Sequence, residues 1–263
     1  MSSTPAVDAR PDFTGERAVP EVSLASFLQE HAARYVFGAR YCAGYSVLDV
    51  ASGTGYGTDY LRRKGANAVG LEIDGNSVRI SQNTYPESAY RQGNAEEIPL
   101  EWNEQFDRVV SFETIEHISD PNRFLEGVYR CLRPGGLFIC STPNKNLCLF
   151  EGGNRFHLKE FYRGEFLRFI GSRFRILDSF GQSLHPWWHV FLLTPIALAA
   201  KLRRLAGIES LGIGRAVTRK TCPAPFNQSH LQEELVLPEF LPCAIPARTI
   251  PTFMIVVAQK AID

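Results

Sequence analysis

The sequence predicts an α/β fold with a mostly parallel sheet, helices on both of its faces and an insertion before the last strand. The first observation is that short apolar, strand-like runs alternate with helical patterns as far as residue 182, which is typical of parallel sheets. The second is a glycine-rich turn directly after the first of these runs. The third is that the alternation stops between residues 183 and 250, after which one more strand-like run follows.

The composition is that of a globular protein without a general affinity for nucleic acid. Of the 263 residues, 44% are hydrophobic, which is enough for one domain with a substantial core. The 28 Lys and Arg residues balance 28 Asp and Glu residues, so no basic field favours nucleic acid as a partner. The six cysteines lack paired zinc-type spacing, and neither a signal peptide nor an apolar run of membrane-spanning length is visible. We therefore expect a cytoplasmic protein with buried thiols.

The elements of the first two thirds follow a regular order. The first 20 residues are Pro-rich and polar and are expected to form an arm, and apolar positions at near-helical spacing predict an amphipathic helix over 22–41. The strands and helices that come next are identified by their apolar runs or capping residues: the strand YSVLDV, the helix TDYLRRKG, the strand NAVGLEI, the helix Asn76–Thr84, the strands SAYRQGNA and FDRVVSF, a helix from Asp120-Pro121 to RPGG, and the strand LFICSTPN.

The remaining elements complete the predicted domain organisation. A helix at 163–170 and the strand FRILDSF precede the interruption, and TFMIVVAQ is the last strand. The expected parts are an N-terminal arm (1–20), a core (21–182), an insertion or lid (183–250) and the final strand of the core (251–263).

The turn after the first strand has the features of a small-molecule site. In VLDVASGTGYG, glycines stand where the strand becomes a helix, so the backbone can approach a ligand and offer its N–H groups. Asp49 ends this strand and suits an ammonium group better than a pyrophosphate. The loop reads GxGxG rather than the GxGxxG of dinucleotide binders. Glu72 ends the second strand, where a carboxylate can hold both hydroxyls of a ribose.

Taken together, these segments resemble the class I S-adenosylmethionine-dependent methyltransferases. LDVASGTGYG resembles their first motif, with Ala51 where glycine is frequent. VGLEID resembles their ribose motif, and GNAEEIPL resembles their adenine motif, with Asn94 in place of the usual Asp. The resemblance covers about residues 45–182 and the last strand. It implies a Rossmann-like, seven-stranded sheet with the last strand antiparallel, and a ligand beyond the carboxyl ends of the strands.

The resemblance implies S-adenosyl-L-methionine as the cofactor. The positions of this sequence that match the cofactor motifs are Asp49, Ala51, Ser52, Gly53, Thr54, Gly55, Glu72, Ile73, Asn94, Ala95 and Phe112. For Asp49 and Glu72 the alternative is ordinary turn capping. Arg17, in DFTGERAVPE, is expected to pair with the methionine carboxylate if residues 13–17 fold over the cofactor, and a solvated arm is the alternative.

Further stretches of the sequence indicate the chemical class of the methyl acceptor. DFTGERAVPE and the later STPNK and NRFHLKEFYRGEF are similar to bacterial methyltransferases found with polysaccharide and surface-glycan biosynthesis. This resemblance implies a sugar hydroxyl as acceptor, on a small molecule or a lipid-linked sugar. Transfer to a hydroxyl requires alignment of the acceptor oxygen and removal of its proton.

The run SFETIEH contains three side chains that could help to align the acceptor hydroxyl and remove its proton. Glu113, Glu116 and His117 would share one face of a helix. They resemble the ExxEH run of the ubiquinone-pathway O-methyltransferases and the small-RNA 2′-O-methyltransferases, which implies a divalent-cation site with His157 as the fourth ligand. Mg²⁺ or Mn²⁺ there would polarise an acceptor hydroxyl. The alternative is a metal-free site, with His117 or His157 as the base and Glu116 hydrogen-bonded beside it.

The interrupted region has two interpretations. WWHVFLLTPIALAA and the basic residues after it, 187–204, suit peripheral contact with a membrane, which would place the protein at the inner face of the membrane beside a lipid-linked acceptor. The other interpretation is a lid over the active site or a homodimer contact. The four remaining histidines are interpreted as structural or surface residues: His31, His185, His189 and His230.

Two other classes of function compete with methyl transfer. An NAD-dependent oxidoreductase would need a GxGxxG loop and a catalytic Tyr/Lys or Cys/His pair, and neither is found in place. A scaffold that binds S-adenosylmethionine without chemistry is disfavoured by the retention of Glu113, Glu116, His117 and His157.

Overall fold

A computed structural model describes residues 25–148, 156–186, 241–245 and 249–262. Its strands are β1 (Ser46–Val50), β2 (Asn67–Glu72), β3 (Ala89–Gln92), β4 (Phe106–Phe112), β5 (Leu132–Pro143), β6 (Arg175–Pro186), β7 (Cys243–Ala244) and β8 (Thr249–Gln259). The helices are α1 (Ala25–Cys42), α2 (Tyr56–Arg63), α3 (Gly75–Thr84), α4 (Pro121–Cys131), α5 (Lys145–Cys148) and α6 (Arg163–Gly171).

All eight described strands belong to one sheet, in the order β3-β2-β1-β4-β5-β8-β6-β7. The pairs from β3 to β5 are parallel, whereas β8 is antiparallel to both β5 and β6. The expected Rossmann-like α/β fold with an antiparallel last strand is confirmed. The sheet has one strand more than the predicted seven, because the two-residue β7 pairs with β6 at the edge. Such a short strand has no periodicity that a sequence pattern could reveal.

The predicted elements agree with the structure more closely in their centres than at their ends. The strand FDRVVSF is confirmed in full as β4, but β5 begins at Leu132 and includes the RPGG turn. The boundary expected at 182/183 falls inside β6, because that strand continues to Pro186 along β8. Likewise β8 starts at Thr249, ahead of the expected residue 251.

The core lies on the two faces of the sheet. One apolar cluster joins α1 and α2 to one face, and the other joins α4 and α6 to the opposite face. On the first face, a Cβ on Gly38 would lie 3.1 Å from the Phe112 ring, so α1 packs closely over the end of β4. This contact brings the polar residues of α1 to the carboxyl edge of the sheet, where a ligand is expected.

Several predictions concern segments outside the described residues. These are the arm with Arg17, the residues 187–204 proposed for a membrane, and His189 and His230. Among the residues that the structure does describe, no helix is both long and apolar enough to cross a bilayer.

Candidate active site

The turn after β1 has an unusual backbone. Ala51, Gly53 and Gly55 all have positive φ angles, of 62°, 57° and 85°. Gly55 is also crowded, since a Cβ there would lie 2.6 Å from Ser81 Oγ. The turn therefore needs glycine for conformation and for space, which is the physical reason for the GxGxG pattern.

Glu72 holds this turn from the neighbouring strand. Its buried carboxylate accepts hydrogen bonds from the N–H groups of Gly53 and Asp74, both at 3.0 Å. Glu72 therefore caps the backbone of the turn, as the alternative interpretation expected. The same residue also lines the cavity described below, so capping and ligand contact are compatible.

We expect Glu72→Gln to weaken S-adenosylmethionine binding by ~10- to 100-fold, because the amide NH₂ would face one of the two backbone N–H donors and lose one acceptor for the ribose. Calorimetric titration checks this. Glu101→Gln, at an exposed carboxylate paired with Arg91, is the control and should bind normally. Equal affinity in wild type and Glu72→Gln would contradict the assignment.

Asp49 lies behind the cavity wall. Its carboxylate is fully buried and accepts hydrogen bonds from Thr58 Oγ1 at 2.7 Å and from Tyr35 Oη at 3.1 and 3.2 Å. Burial raises the pKa of Asp49 to about 7, although these two hydroxyls oppose the rise. Asp49 is not among the residues that line the cavity. Its visible role is to hold Tyr35, which does line it.

We expect wild-type protein to lose stability relative to Asp49→Asn as the pH rises from about 4 to about 7. The folded state binds the Asp49 proton more tightly than the unfolded chain, so its contribution is complete below the unfolded pKa and is lost as the pH passes the folded pKa. The relative change should reach at most ~4 kcal/mol. Urea unfolding of both proteins at several pH values tests this, and parallel pH profiles would contradict it.

The other end of the cavity combines apolar groups with the amide of Asn94. Asn94 begins a short 3₁₀ turn (Ala95–Glu97), and its Oδ1 accepts the N–H of Glu96 at 2.9 Å. Beside it lie Ala95 and the largely exposed Ile73. A flat heterocycle could stack against these apolar groups and bond to the amide.

These ends belong to one cavity of about 720 Å³ at the carboxyl edge of the sheet. This volume is typical of small-molecule sites. Of the expected cofactor residues, eight line it: Ala51, Ser52, Gly53, Glu72, Ile73, Asn94, Ala95 and Phe112. Asp49, Thr54 and Gly55 lie behind the lining, and Arg17 is outside the described residues.

Two buried hydroxyls in the glycine turn lack a hydrogen-bond partner in the described part of the chain, and one of them lies at the cavity. Ser52 Oγ and Thr54 Oγ1 are buried, and neither has a hydrogen-bond partner among the described residues. Ser52 lines the cavity, and buried hydroxyls ordinarily find partners. The Ser52 hydroxyl is therefore available to a polar group of a ligand at this end.

Helix α1 supplies residues that the sequence analysis missed. His31 and Tyr35, together with Tyr56 of α2, line the cavity. Burial, and then the positive charge of Arg34, lower the pKa of His31, so its imidazole is neutral. His31, which the sequence analysis interpreted as a structural or surface residue, therefore lies at the cavity. The available signal was that polar residues occupy the face of α1 that its apolar period marks as buried.

The ETIEH segment does not form the expected helical face. Glu113 has a φ of 53° and precedes a three-residue 3₁₀ turn, Ile115–His117. Its backbone N–H donates to Ser141 Oγ at 3.1 Å, and that hydroxyl donates back to Glu113 Oε1 at 2.6 Å. This reciprocal pair fixes Glu113 on β5 and separates it from the two residues that follow.

Glu116 is buried beneath the segment. Its Oε2 accepts a hydrogen bond from Thr142 Oγ1 at 3.0 Å, whereas Oε1 is buried without a hydrogen-bond partner among the described residues. Burial, and then the negative charge of Glu113, raise the pKa of Glu116. A buried carboxylate oxygen without a partner is costly, so this site fits an added cation.

Two imidazoles stand beside that oxygen. His117 Nδ1 lies 3.1 Å from the carbonyl oxygen of Phe156, and His157 Nδ1 lies 3.2 Å from Glu160 Oε1. The rings meet edge to face, with centroids 4.9 Å apart. With each Nδ1 engaged, a metal ion would be bound through Nε2, and His117 Nε2 lies 4.0 Å from Glu116 Oε1.

One ligand atom from each of Glu116, His117 and His157 lies within 4.8 Å of the others. The structure thus gathers three of the four residues proposed as metal ligands. Glu113 is not in this cluster because its carboxylate is held by Ser141. Of the four, Glu113 and His117 line the cavity, so the cluster borders the cavity through His117.

Comparison with known proteins gives a consistent family. Residues 48–140 match the model of a methyltransferase domain. A probable S-adenosylmethionine-dependent methyltransferase of Mycolicibacterium smegmatis is 34% identical over 176 residues, which are 64% of this chain and 67% of the relative. A ubiquinone biosynthesis O-methyltransferase of Pseudomonas entomophila is 35% identical over 137 residues, 49% of this chain and 59% of that protein.

Solved structures show the same fold at low identity. A Thermotoga maritima S-adenosylmethionine-dependent methyltransferase superposes with a TM-score of 0.55 at 15% identity, over 89% of this chain and 92% of its own. At this identity the likeness supports the fold and not the substrate.

Proposed function

Since this chain belongs to the class I S-adenosylmethionine-dependent methyltransferases, we propose that it methylates a hydroxyl of a sugar or another hydroxylated small molecule. We propose further that Glu116, His117 and His157 hold a divalent cation, Mg²⁺ or Mn²⁺, beside the acceptor. Membership of this enzyme family is shown by the comparisons, whereas the acceptor and the metal are proposed.

We assign each part of the cofactor to residues that line the cavity. Glu72 would accept from the ribose hydroxyls, Asn94 and the apolar groups beside it would hold the adenine, and Ser52 would face the methionine end. S-adenosylmethionine, when bound, supplies an electrophilic methyl group. Phe112 and Glu113, at the end of β4, line the same cavity as His117, and we place the acceptor beside these residues.

Oxygen as the acceptor atom is supported by the relatives and by the residues. The Pseudomonas relatives are named ubiquinone biosynthesis O-methyltransferases. A hydroxyl needs help in losing its proton, and the Glu116–His117–His157 cluster at the edge of the cavity is a means of providing it. The choice of a sugar hydroxyl rests on the sequence resemblance to glycan-associated methyltransferases.

The observation that carries the metal is the buried Oε1 of Glu116, which has no hydrogen-bond partner among the described residues and lies beside two oriented imidazoles. The Phe156 carbonyl and the Glu160 carboxylate each engage a Nδ1 and would orient the rings, as outer groups do around metal-binding histidines. A bound divalent cation would lower the pKa of an acceptor hydroxyl at this place.

A metal-free base is the second candidate, and one observation favours it. His117 lines the cavity and its ring is about a third exposed, so it could take a proton from an acceptor directly. In that arrangement the Phe156 carbonyl would hold Nδ1–H and leave Nε2 as the base.

We also propose where in the cell the acceptor is methylated. If the sugar is lipid-linked, residues 187–204 would touch the inner face of the membrane, and the enzyme would be cytoplasmic. A lid or a homodimer contact is the competing role for this segment, which lies outside the described residues.

Two titrations test the proposal. Mn²⁺ and S-adenosylmethionine are titrated separately into EDTA-treated protein, and release of S-adenosylhomocysteine is then measured with a panel of sugars, with and without Mn²⁺. Binding of both ligands and metal-dependent turnover are expected. Turnover that EDTA does not change would favour His117 as a metal-free base, and no turnover with any of the sugars would contradict a sugar hydroxyl as the acceptor.

A further inference from the structure

We propose that a second pocket, beside the Glu116–His117–His157 cluster, binds a phosphate group of the methyl acceptor through Lys145 and Lys159. The inference rests on the proposed function in that the bound molecule is taken to be the acceptor. It narrows the acceptor class to phosphorylated sugars and other phosphorylated hydroxyl compounds.

This second pocket differs from the cofactor cavity in all of its lining. It has a volume of about 450 Å³ and is lined by Lys145, at the start of α5, and by residues between 158 and 169. Among the described residues, none lines both spaces. The volume lies in the range of small-molecule sites, so the pocket can take a ligand group of its own.

The two lysines of the second pocket are held by aromatic rings. Nζ of Lys145 lies 5.1 Å from the ring centre of Tyr162, and Nζ of Lys159 lies 4.9 Å from that of Phe161. In the described part of the chain, neither ammonium group forms an ion pair or a hydrogen bond. A contact with an aromatic face restrains an ammonium group without neutralising it. The N–H donors of both lysines therefore remain for a ligand.

The two carboxylates of the second pocket already have partners. Glu165 Oε2 accepts the backbone N–H of Tyr162 at 3.1 Å, and Glu160 Oε1 lies 3.2 Å from His157 Nδ1. The acids equal the lysines in number, but among the described residues neither acid pairs with a lysine. The lysines are therefore the groups left for an incoming ligand.

A phosphate group suits two such lysines. It carries a charge of about −2 and several strong acceptor oxygens, so it can accept from two ammonium groups at once. Hydrogen bonds between ionised partners are about twice as strong as those between neutral ones. Lysine is a frequent phosphate ligand because its ammonium group acts as a compact point charge.

The backbone of the second pocket is tied to the proposed metal cluster. The N–H groups of Leu158 and Lys159 both donate to the carbonyl oxygen of Glu116, at 2.8 and 3.1 Å. Leu158 and Lys159 line the pocket, and Glu116 belongs to the cluster. The position of one site therefore fixes the position of the other.

The segment that contains His157 separates the two spaces. Phe156 lines the cofactor cavity, and residues 158–161 line the second pocket. His157 and Lys159 are two residues apart, which is at most about 7 Å along an extended backbone. A sugar phosphate bound at Lys159 could therefore place a ring hydroxyl near the cluster, where its proton is removed.

Two kinds of acceptor could bring the phosphate. One is a soluble sugar phosphate or nucleotide sugar, and the other is a sugar linked to a lipid through phosphate. Both present the same group to the lysines. Titration with inorganic phosphate tests the site, and turnover with one acceptor of each kind identifies the source.

The first arm titrates inorganic phosphate, at constant ionic strength, into EDTA-treated protein saturated with S-adenosylhomocysteine. Wild type should bind phosphate with a Kd of about 1 mM, and Lys145→Met/Lys159→Met should bind it at least ~10-fold more weakly, since two charge-assisted contacts are lost. Lys145→Arg/Lys159→Arg keeps both charges and should stay within ~3-fold of wild type. Calorimetry measures each affinity.

Two controls make the first arm specific. Lys64→Met should leave phosphate binding unchanged, because Lys64 also lies near an aromatic ring, that of Tyr60, but does not line the second pocket. The double methionine variant should bind S-adenosylhomocysteine as wild type does, since neither lysine lines the cofactor cavity. If that variant fails to fold, the two single methionine variants decide, each with an expected loss of ~3-fold. Wild type that does not bind phosphate, or variants that bind it equally well, would overturn the proposal.

The second arm measures release of S-adenosylhomocysteine with uridine diphosphate glucose and with a polyprenyl-phosphate sugar. For the preferred acceptor, KM should rise at least ~10-fold in the double methionine variant while kcat changes less than ~2-fold. Turnover with neither, or with unphosphorylated sugars alone, would overturn the assignment of the phosphate to the acceptor. Failure of wild type to bind S-adenosylmethionine would overturn the proposed function, and the phosphate titration, run without S-adenosylhomocysteine, would still decide the pocket.

Discussion

Replacing Glu116 by glutamine is expected to weaken Mn²⁺ binding by ~100-fold or more while S-adenosylmethionine affinity changes less than ~2-fold. Substitutions of groups that merely orient metal ligands already cost about 10- to 100-fold, so the loss of a charged ligand should cost at least that. The cofactor should be unaffected because Glu116 is not among the residues that line the cavity. Calorimetric titration of Mn²⁺ into EDTA-treated protein measures the first quantity, and titration of the cofactor measures the second.

Two matched variants make this result specific. Glu113→Gln keeps an acceptor for the Ser141 hydroxyl and leaves the three-residue cluster intact, so we expect a smaller loss of Mn²⁺ affinity. Glu126→Gln changes an exposed carboxylate paired with Arg173 and should have no effect. A larger loss in Glu113→Gln than in Glu116→Gln would restore Glu113 as a ligand. Wild type that fails to bind Mn²⁺ would remove the metal from the mechanism.

The second large effect is expected for Gly57→Ala, which should destabilise the fold by ~3 kcal/mol or more and abolish cofactor binding. A Cβ at this position would lie 2.0 Å from Cζ of Tyr35. The Tyr35 ring has little freedom to move, since its hydroxyl bonds to Asp49. The ring also packs edge to face against Phe112 and Tyr56, with centroid distances of 5.1 and 5.6 Å. The melting temperature should fall by at least ~6 °C.

Gly164→Ala is the matched control for this variant. Gly164 is the second residue of α6, as Gly57 is of α2, but nothing lies within 4 Å of its added Cβ. Because alanine favours helices over glycine, Gly164→Ala should be neutral or slightly stabilising. The double variant Gly57→Ala/Tyr35→Leu should recover part of the stability, since a smaller side chain makes room for the methyl group. Equal melting temperatures of wild type and Gly57→Ala would contradict the packing described here.

The sequence was sufficient where one local pattern determines one local structure. FDRVVSF is a strand with one buried face, and the Asp120-Pro121 pair begins α4 with the Asp120 carboxylate accepting the N–H groups of Asn122 and Arg123. The glycine turn and Glu72 were also predictable, because their spacing along the chain reflects two adjacent parallel strands. The predicted antiparallel last strand was correct, although it depended on the family resemblance and not on the pattern of its residues.

The sequence was insufficient where a contact joins distant segments. Nothing near Glu113 indicates that Ser141 holds its carboxylate and keeps it from Glu116. Asp49 was expected to face the ligand, but the Tyr35 and Thr58 hydroxyls hold it behind the wall. Arg34 is the clearest case, because its buried environment is formed by Gln182 and Phe253, more than a hundred residues away.

The position of β8 has a consequence for the order of folding. This strand is the last of the eight along the chain, yet it lies between β5 and β6 and pairs with both. During synthesis, the half of the sheet that carries the glycine turn can assemble early from neighbouring segments. The half around Gln182 and Phe253 must wait until residues 249–259 leave the ribosome, and the exposed edge of β5 is unprotected until then. Pairing of β8 with β5 joins segments that are more than a hundred residues apart, and forming such distant contacts slows folding. We therefore expect chaperones to act mainly on this half of the sheet.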